Sequence, residues 1–260
     1  MAEFKEIEKN IYKLCVPFED LYTSVFVVIS GNDCILIDSA SNSDDADNII
    51  IPALNKMGFV PNKFFATHSH GDHFCGFDAL KIAYENAPVY MLESKFTSQH
   101  NRLTPVKDGD FIAENIKAVA IKGHCDEMAG ILDVRTESLI SGDGVQLYGV
   151  TKYGLGISNL NEYVNSLNKL KTLNIKNLFA SHEYIPFGSA ARGKENVKNY
   201  LNTALYAVYD AENFVAENIN GFETFDEIAK YYNEVRKLPA IGSGQAEALY
   251  NGYLERKNNV

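Results

Sequence analysis

Phe64-Phe65-Ala66-Thr67-His68-Ser69-His70-Gly71-Asp72-His73 is the stretch that decides how this chain reads. It begins as an apolar run short enough for a buried strand and ends in a cluster of imidazoles and a carboxylate. His68 and His70 stand two apart on an extended segment, so both side chains can point to one side. Gly71 lets the chain turn sharply, which aims Asp72 and His73 at a neighbouring point. Three of the chain's six histidines fall within these six residues, 68–73. Imidazole with carboxylate is a donor set for zinc, and equally for iron or manganese.

The same grammar recurs along the chain: an apolar strand, then His or Asp where the strand stops. Ser24 to Ile29 and Cys34 to Ile37 form a hairpin through Gly31-Asn32-Asp33, and the second strand delivers Asp38 at its end. Ala118 to Ile121 leads to Gly123-His124, Leu139-Ile140-Ser141 leads to Gly142-Asp143, and Leu178-Phe179-Ala180 leads to Ser181-His182. Helical spacing separates them. Ile50, Leu54 and Met57 share one side of 44–57, and Phe77 to Tyr84 reads as a second helix before the strand Val89 to Leu92. Ser158 is the expected N-cap of a helix whose face carries Leu160, Tyr163, Val164, Leu167 and Leu170. Interleaved strands and helices point to helix-covered sheets with a functional site at the strand ends. Beyond about Gly188 the sequence turns helical, with Val197 to Phe214 as one helix and Thr224-Phe225-Asp226-Glu227 as a capping box opening another. The expected division is therefore a catalytic domain, 1–189, and a small helical C-terminal appendage, 190–260.

Whole-chain properties narrow the function. The 260 residues carry a formal net charge of −10, which argues against a nucleic-acid groove or an anionic membrane surface, since both need an excess of Lys and Arg. The N-terminal residues lack the apolar core of a secretory signal, and no apolar run approaches the length of a membrane span. Cys15, Cys34, Cys75 and Cys125 are scattered, as expected of reduced thiols in a cytoplasm. Cys75 and Cys125 read as small packed residues and His100 as a surface or loop residue. Nothing in the sequence marks an oligomeric state.

With the motifs in view, H-x-H-x-D-H, then Gly-His, then Ser-Gly-Asp, then a late His, the stretch from about 10 to 185 resembles the metallo-β-lactamase superfamily. The resemblance implies a four-layer αββα sandwich with metals at one edge of two packed sheets. It implies that His68, His70 and His124 bind one divalent ion, that Asp72, His73 and His182 bind a second, and that Asp143 bridges them. Asp38 matches the superfamily's first-motif aspartate, which orders the ligand loop. The ligand set is similar to that of the glyoxalase II-like subgroup, as is Ser181-His182-Glu183-Tyr184. Lys152 falls nine positions after Asp143, where that subgroup keeps a substrate-binding lysine, and Tyr153 stands one place early for its aromatic partner. The C-terminal basic cluster of the subgroup is missing. His70 departs from the flavodiiron pattern, and Asp143 departs from the cysteine of class B1 β-lactamases.

Together these features predict a cytoplasmic hydrolase with two divalent metals, zinc first, acting on a small-molecule thioester, ester or lactone through a metal-bridging hydroxide. Asp72 and Asp143 would serve as ligands that tune the charge of the centre, Asp143 also orienting the nucleophile. Two other chemistries share the motif: a mononuclear iron sulfur dioxygenase, and a phosphodiesterase or nuclease, which normally carries a basic recognition arm not seen here.

Overall fold

The computed structural model describes residues 2–150 and 154–258. Two compact units emerge, one running up to Ala120 and taking in Glu127–Gly142, the other made of Ile121–Asp126 with the chain from Asp143 onward.

In the first unit seven strands lie side by side in chain order: β1 (Lys5–Glu8), β2 (Ile11–Phe18), β3 (Leu21–Ser30), β4 (Asp33–Ile37), β5 (Lys63–Phe65), β6 (Val89–Leu92) and β7 (Leu103–Val106). The first four are antiparallel and the last four parallel, with β4 shared by both halves. Parallel strands need crossovers, and helices supply them. Between β4 and β5 run α1 (Ser43–Asp45), a π turn (Ala46–Ile50) and α2 (Ile51–Met57). The helical spacing at 44–57 thus marks one winding segment with a wide turn in its middle. α3 (Gly71–Phe74) and α4 (Phe77–Ala83) follow β5, and α5 (Lys95–Gln99), capped by Ser94, follows β6.

Alternation sets the layers. Val25, Val27, Leu36, Phe64 and Ala66 join Ile50, Leu54, Phe77 and Leu80 in one buried cluster, so this face of the sheet is covered by helices. Phe26, Val28, Ile35, Ile37 and Phe65, on the other face, are equally buried. A sheet covered on both sides needs successive apolar residues, and β3 supplies Val25, Phe26, Val27 and Val28, all buried. The same unit holds a second set of strands, β8 (Phe111–Ala113), β9 (Ile116–Ala120), β10 (Ala129–Asp133) and β11 (Ser138–Gly142), antiparallel and adjacent in that order.

The second unit contains α6 (Leu160–Thr172), the antiparallel pair β12 (Asn177–Ala180) and β13 (Ala190–Arg192), and three further helices, α7 (Lys194–Asn218), α8 (Phe225–Arg236) and α9 (Ser243–Asn258). The capping box at Thr224 and Glu227 forms as the sequence predicts. The expected Ser158 cap does not. Asn159 takes that role by accepting from the Glu162 N–H, and Ser158 instead donates its hydroxyl and its N–H to the Gly123 carbonyl. Both residue types cap well, so only the geometry separates them. No helix among the described residues is long and apolar enough to cross a membrane.

Gly123, just before His124, has φ +116, and a Cβ there would lie 2.3 Å from the Tyr163 backbone nitrogen on α6. Neither backbone has anywhere to go. Gly123→Ala should cost about 2–4 kcal/mol, read as a lower urea midpoint at unchanged slope.

Candidate metal centre

The first group of candidate ligands is built on the end of β5. Asp38 sits just past β4, and the parallel register Ile37↔Phe65 brings it level with Ala66, the residue before Thr67. Its N–H donates to the Phe65 carbonyl at 2.9 Å. Its carboxylate is fully buried and accepts from the Thr67 N–H at 2.8 Å and the Thr67 hydroxyl at 2.9 Å. His73 Nδ1 lies 2.7 Å from the same carboxylate. Burial pushes the Asp38 carboxyl above its usual range, while His73 and Thr67 pull it back down.

These contacts settle the ring tautomers. A carboxylate only accepts, so His73 carries its proton on Nδ1. The Thr67 hydroxyl, having given its hydrogen to Asp38, accepts from His68 Nδ1 at 3.0 Å. In both rings Nε2 is left as the basic nitrogen, as in metal-bound histidines whose other nitrogen is held by a protein acceptor. His73 Nε2 is 3.2 Å from Asp72 Oδ2, which also receives the Thr23 hydroxyl at 3.1 Å. His68 and His73 are buried, Asp72 is half-buried and His70 is exposed. The His68 ring centroid is 4.7 Å from that of His70 and 4.2 Å from that of His73.

The second group lies in the other unit. His124, Asp143 and His182 are all buried. Asp143 Oδ1 is 3.4 Å from His182 Nε2, and its Oδ2 is 4.0 Å from His124 Nε2. His124 Nδ1 faces the Gly156 carbonyl at 2.5 Å, which again leaves Nε2 on the side of the carboxylate. Tyr184 packs edge-on against His182 and hydrogen-bonds Asp143; burial first, then that carboxylate, hold its phenol well above the usual range and therefore protonated. Gln146 is placed between His124 and Gly156, its amide 2.9 Å from His124 Nδ1 and accepting from the Gly156 N–H at 2.6 Å. Its own N–H donates to the Tyr163 hydroxyl.

Each group therefore offers imidazole Nε2 atoms beside a carboxylate, with Nδ1 of His68 and His73 turned to a protein acceptor and Nδ1 of His124 held between the Gly156 carbonyl and the Gln146 amide. That donor chemistry fits a divalent ion. Thr67 and Gln146 had no sequence signal as supporting groups, since each acts through tertiary contacts of a common polar side chain, and Tyr163, expected only on a packing face, adds its hydroxyl. Lys152 and Tyr153 lie outside the described residues. Cys125 is half-buried, but Cys75 is exposed and not packed as the sequence reading had it. It is the C-cap residue of the short α3, and its thiol meets solvent. His100 is exposed, its Nδ1 turned to the Phe96 carbonyl, as expected of a loop residue.

Known proteins bear on this arrangement. The sequence profile of the metallo-beta-lactamase superfamily matches residues 19–182, more than half of the chain. A beta-lactamase-like protein 2 homolog from Caenorhabditis elegans is 25% identical over 173 residues, covering 64% of this chain and 57% of that protein. A hydroxyacylglutathione hydrolase from Francisella tularensis subsp. holarctica is 28% identical over 164 residues, 61% of this chain and 62% of the relative. The chain thus spans under two thirds of the length of these two relatives. A metallo-beta-lactamase family protein from Thermus thermophilus has the same fold, with a TM-score of 0.72 at 17% identity over 97% of this chain and 95% of the other.

Replacing Asp38 by alanine strands three buried donors at once. Asp38→Ala should lose about 3–5 kcal/mol of stability, while Asp38→Asn, which keeps an accepting oxygen, should lose less. Urea denaturation of the two variants checks the order.

Proposed function

The chain belongs to the metallo-β-lactamase superfamily, and from that premise we propose that it is a hydrolase that uses two divalent metal ions to cleave a thioester, ester or lactone of a small molecule. In this reading His68, His70 and His124 hold one ion, Asp72, His73 and His182 hold the other, and Asp143 is shared. The observation that carries it is that His68, His73 and His124 are each held by protein groups at Nδ1, so that Nε2 is the nitrogen turned towards the neighbouring donors. Seven donors exceed what one four- or five-coordinate ion uses. When bound, two such ions supply an acidified water and positive charge beside the reacting carbonyl oxygen.

The chain's own groups have definable tasks. Asp143 holds the nucleophile's orientation, and the protonated Tyr184 phenol steadies that carboxylate by donating to it. Asp72, fastened by Thr23, brings negative charge to the second ion. Domain limits follow the same reading, 1–189 catalytic and 190–260 a helical wall. Support for the wall comes from within the second unit. The Tyr148 N–H donates to the Ile185 carbonyl and the Ile185 N–H to the Gly149 carbonyl, so the loops that follow Asp143 and His182 are stitched together. Against them α7 forms a cleft of about 500 Å³ lined by Tyr148, Phe187, Asn199, Asn202, Thr203 and Tyr206. None of the six carries a charge. A cleft whose described lining is aromatic and amide suits an uncharged part of a substrate.

Elemental analysis of protein purified without chelator should give close to two metal ions per chain, falling towards one in His73→Ala. Zinc-reconstituted protein should hydrolyse an acyl substrate without oxygen, because zinc has no redox chemistry. Asp143→Ala should lower kcat by about 100-fold with a much smaller change in KM. Oxygen uptake by an iron form with a persulfide, and no hydrolysis by the zinc form, would overturn the proposal. Phe187→Ala, a wall residue half-exposed in the cleft, should instead raise KM about tenfold and leave kcat nearly unchanged.

A further inference from the structure

Glu127 belongs to no motif and has no task in the hydrolytic reading, yet it is almost wholly buried in the first unit. Burying a carboxylate is costly unless donors meet it. Here one residue supplies two donors: Glu127 Oε1 accepts from the Ser69 hydroxyl at 2.5 Å and from the Ser69 N–H at 3.3 Å. Ser69 is the residue between His68 and His70. Two residues beyond Glu127, the Ala129 N–H donates to the Thr67 carbonyl at 3.0 Å, so the 127–129 segment is fastened to 67–69 at both ends.

The consequence is geometric. On an extended segment the two imidazoles fall on one side, and Ser69 points the other way. Asp38 fixes Thr67, and through it the His68 ring, from below. His70 lies two residues beyond that hold, exposed, at the last extended position before α3. The backbone beside His70 is held by Glu127 gripping the intervening serine. We propose that Glu127 is a positioning residue: its carboxylate locks Ser69 in the extended segment, so that His68 and His70 are presented as a pair before any metal arrives. This rests on the reading of both histidines as ligands of one ion. An ionised carboxylate gives a charge-assisted bond to a hydroxyl and an amide at once, which a neutral acceptor matches only in part.

Zinc affinity of the full-length protein, measured by competition with a chromophoric chelator, tests the idea. The visible spectrum of the cobalt form gives a second readout of ligand geometry. Glu127→Ala should weaken zinc binding about 10- to 100-fold and alter the cobalt bands. Glu127→Gln, whose amide oxygen still accepts from Ser69, should stay within a few-fold of the parent and keep the parent bands. The cobalt bands report the arrangement of the ligands themselves, which a loss of stability alone would not move. Should Glu127→Ala fail to fold, Ser69→Ala removes only the hydroxyl and is expected to weaken zinc binding severalfold. His68→Ala separates the two layers of the argument. If it leaves zinc affinity intact, the ligand reading fails and the clamp falls with it. If it abolishes tight binding while Glu127→Ala, or Ser69→Ala in its place, binds as the parent does, the clamp alone is overturned.

Discussion

One buried carboxylate organises the first unit. Asp38 has no water to solvate it, so it must be met by donors, and it recruits them from a part of the chain some thirty residues later. Satisfying it fixes the backbone at Thr67, the hydroxyl that holds His68, and the ring of His73. The next residue in the chain continues the work. The Ser39 N–H and hydroxyl both donate to the His73 carbonyl, and the Gly76 N–H donates to the Ser39 hydroxyl. A Cβ on Gly76 would come within 2.0 Å of the Ser39 carbonyl oxygen, so the chain is drawn in as tightly as backbone allows. Asp38 itself sits at φ 65, a conformation that costs of order 1 kcal/mol for a residue with a side chain. The strain is tolerated because three hydrogen bonds depend on it.

This explains which features could be read from residues alone. Strands that end in His or Asp were legible because two signals coincide there: apolar residues mark the buried strand, and a polar residue marks its stop. Asp38, His68, His124, Asp143 and His182 all stand just past such stops, and the helix at 160–172 and the capping box at 224–227 follow equally local rules. Contacts between distant segments have no such signature. Glu127 and Gln146 look like any polar loop residues until the fold brings Ser69 to one and His124 to the other. The cap at Asn159 was displaced from Ser158 by one position, because a carbonyl from Gly123 claimed the serine. Short edge strands such as β1, β8 and β13 carry too few residues for alternation to register.

The second unit solves its polar burial differently, with phenols in place of a carboxylate hub. Tyr163, Tyr184 and Tyr200 are all fully or nearly buried, and each finds a partner for its hydroxyl: the Gln146 N–H, Asp143 and the Gly188 carbonyl respectively. A large ring fills space between helix and loop while its tip ties the loop down. The last helix is fastened in the same spirit. Arg256 reaches both the buried Glu212 on α7 and Asn161 at the start of α6, and Leu160 packs where a side chain on Gly252 would stand. α6, α7 and α9 are thus held by one guanidinium as well as by apolar contact.

The bond between the Gln146 amide and the Gly156 N–H has a further meaning in polymer terms. It closes a neck beside His124, so the two ends of the intervening segment are tied at a single point. For a segment tied at the neck, the entropy of closure depends only logarithmically on contour length, and doubling it costs about 0.6 kcal/mol. Chain entropy therefore sets almost no limit on what the neck can carry. The limit is enthalpic: Leu147 and Leu155 are buried just inside the neck, and the Tyr148 and Gly149 backbones are bonded to Ile185. A change of sequence there must keep those anchors, so variation beside the imidazole is restrained by packing and not by the statistics of loop closure.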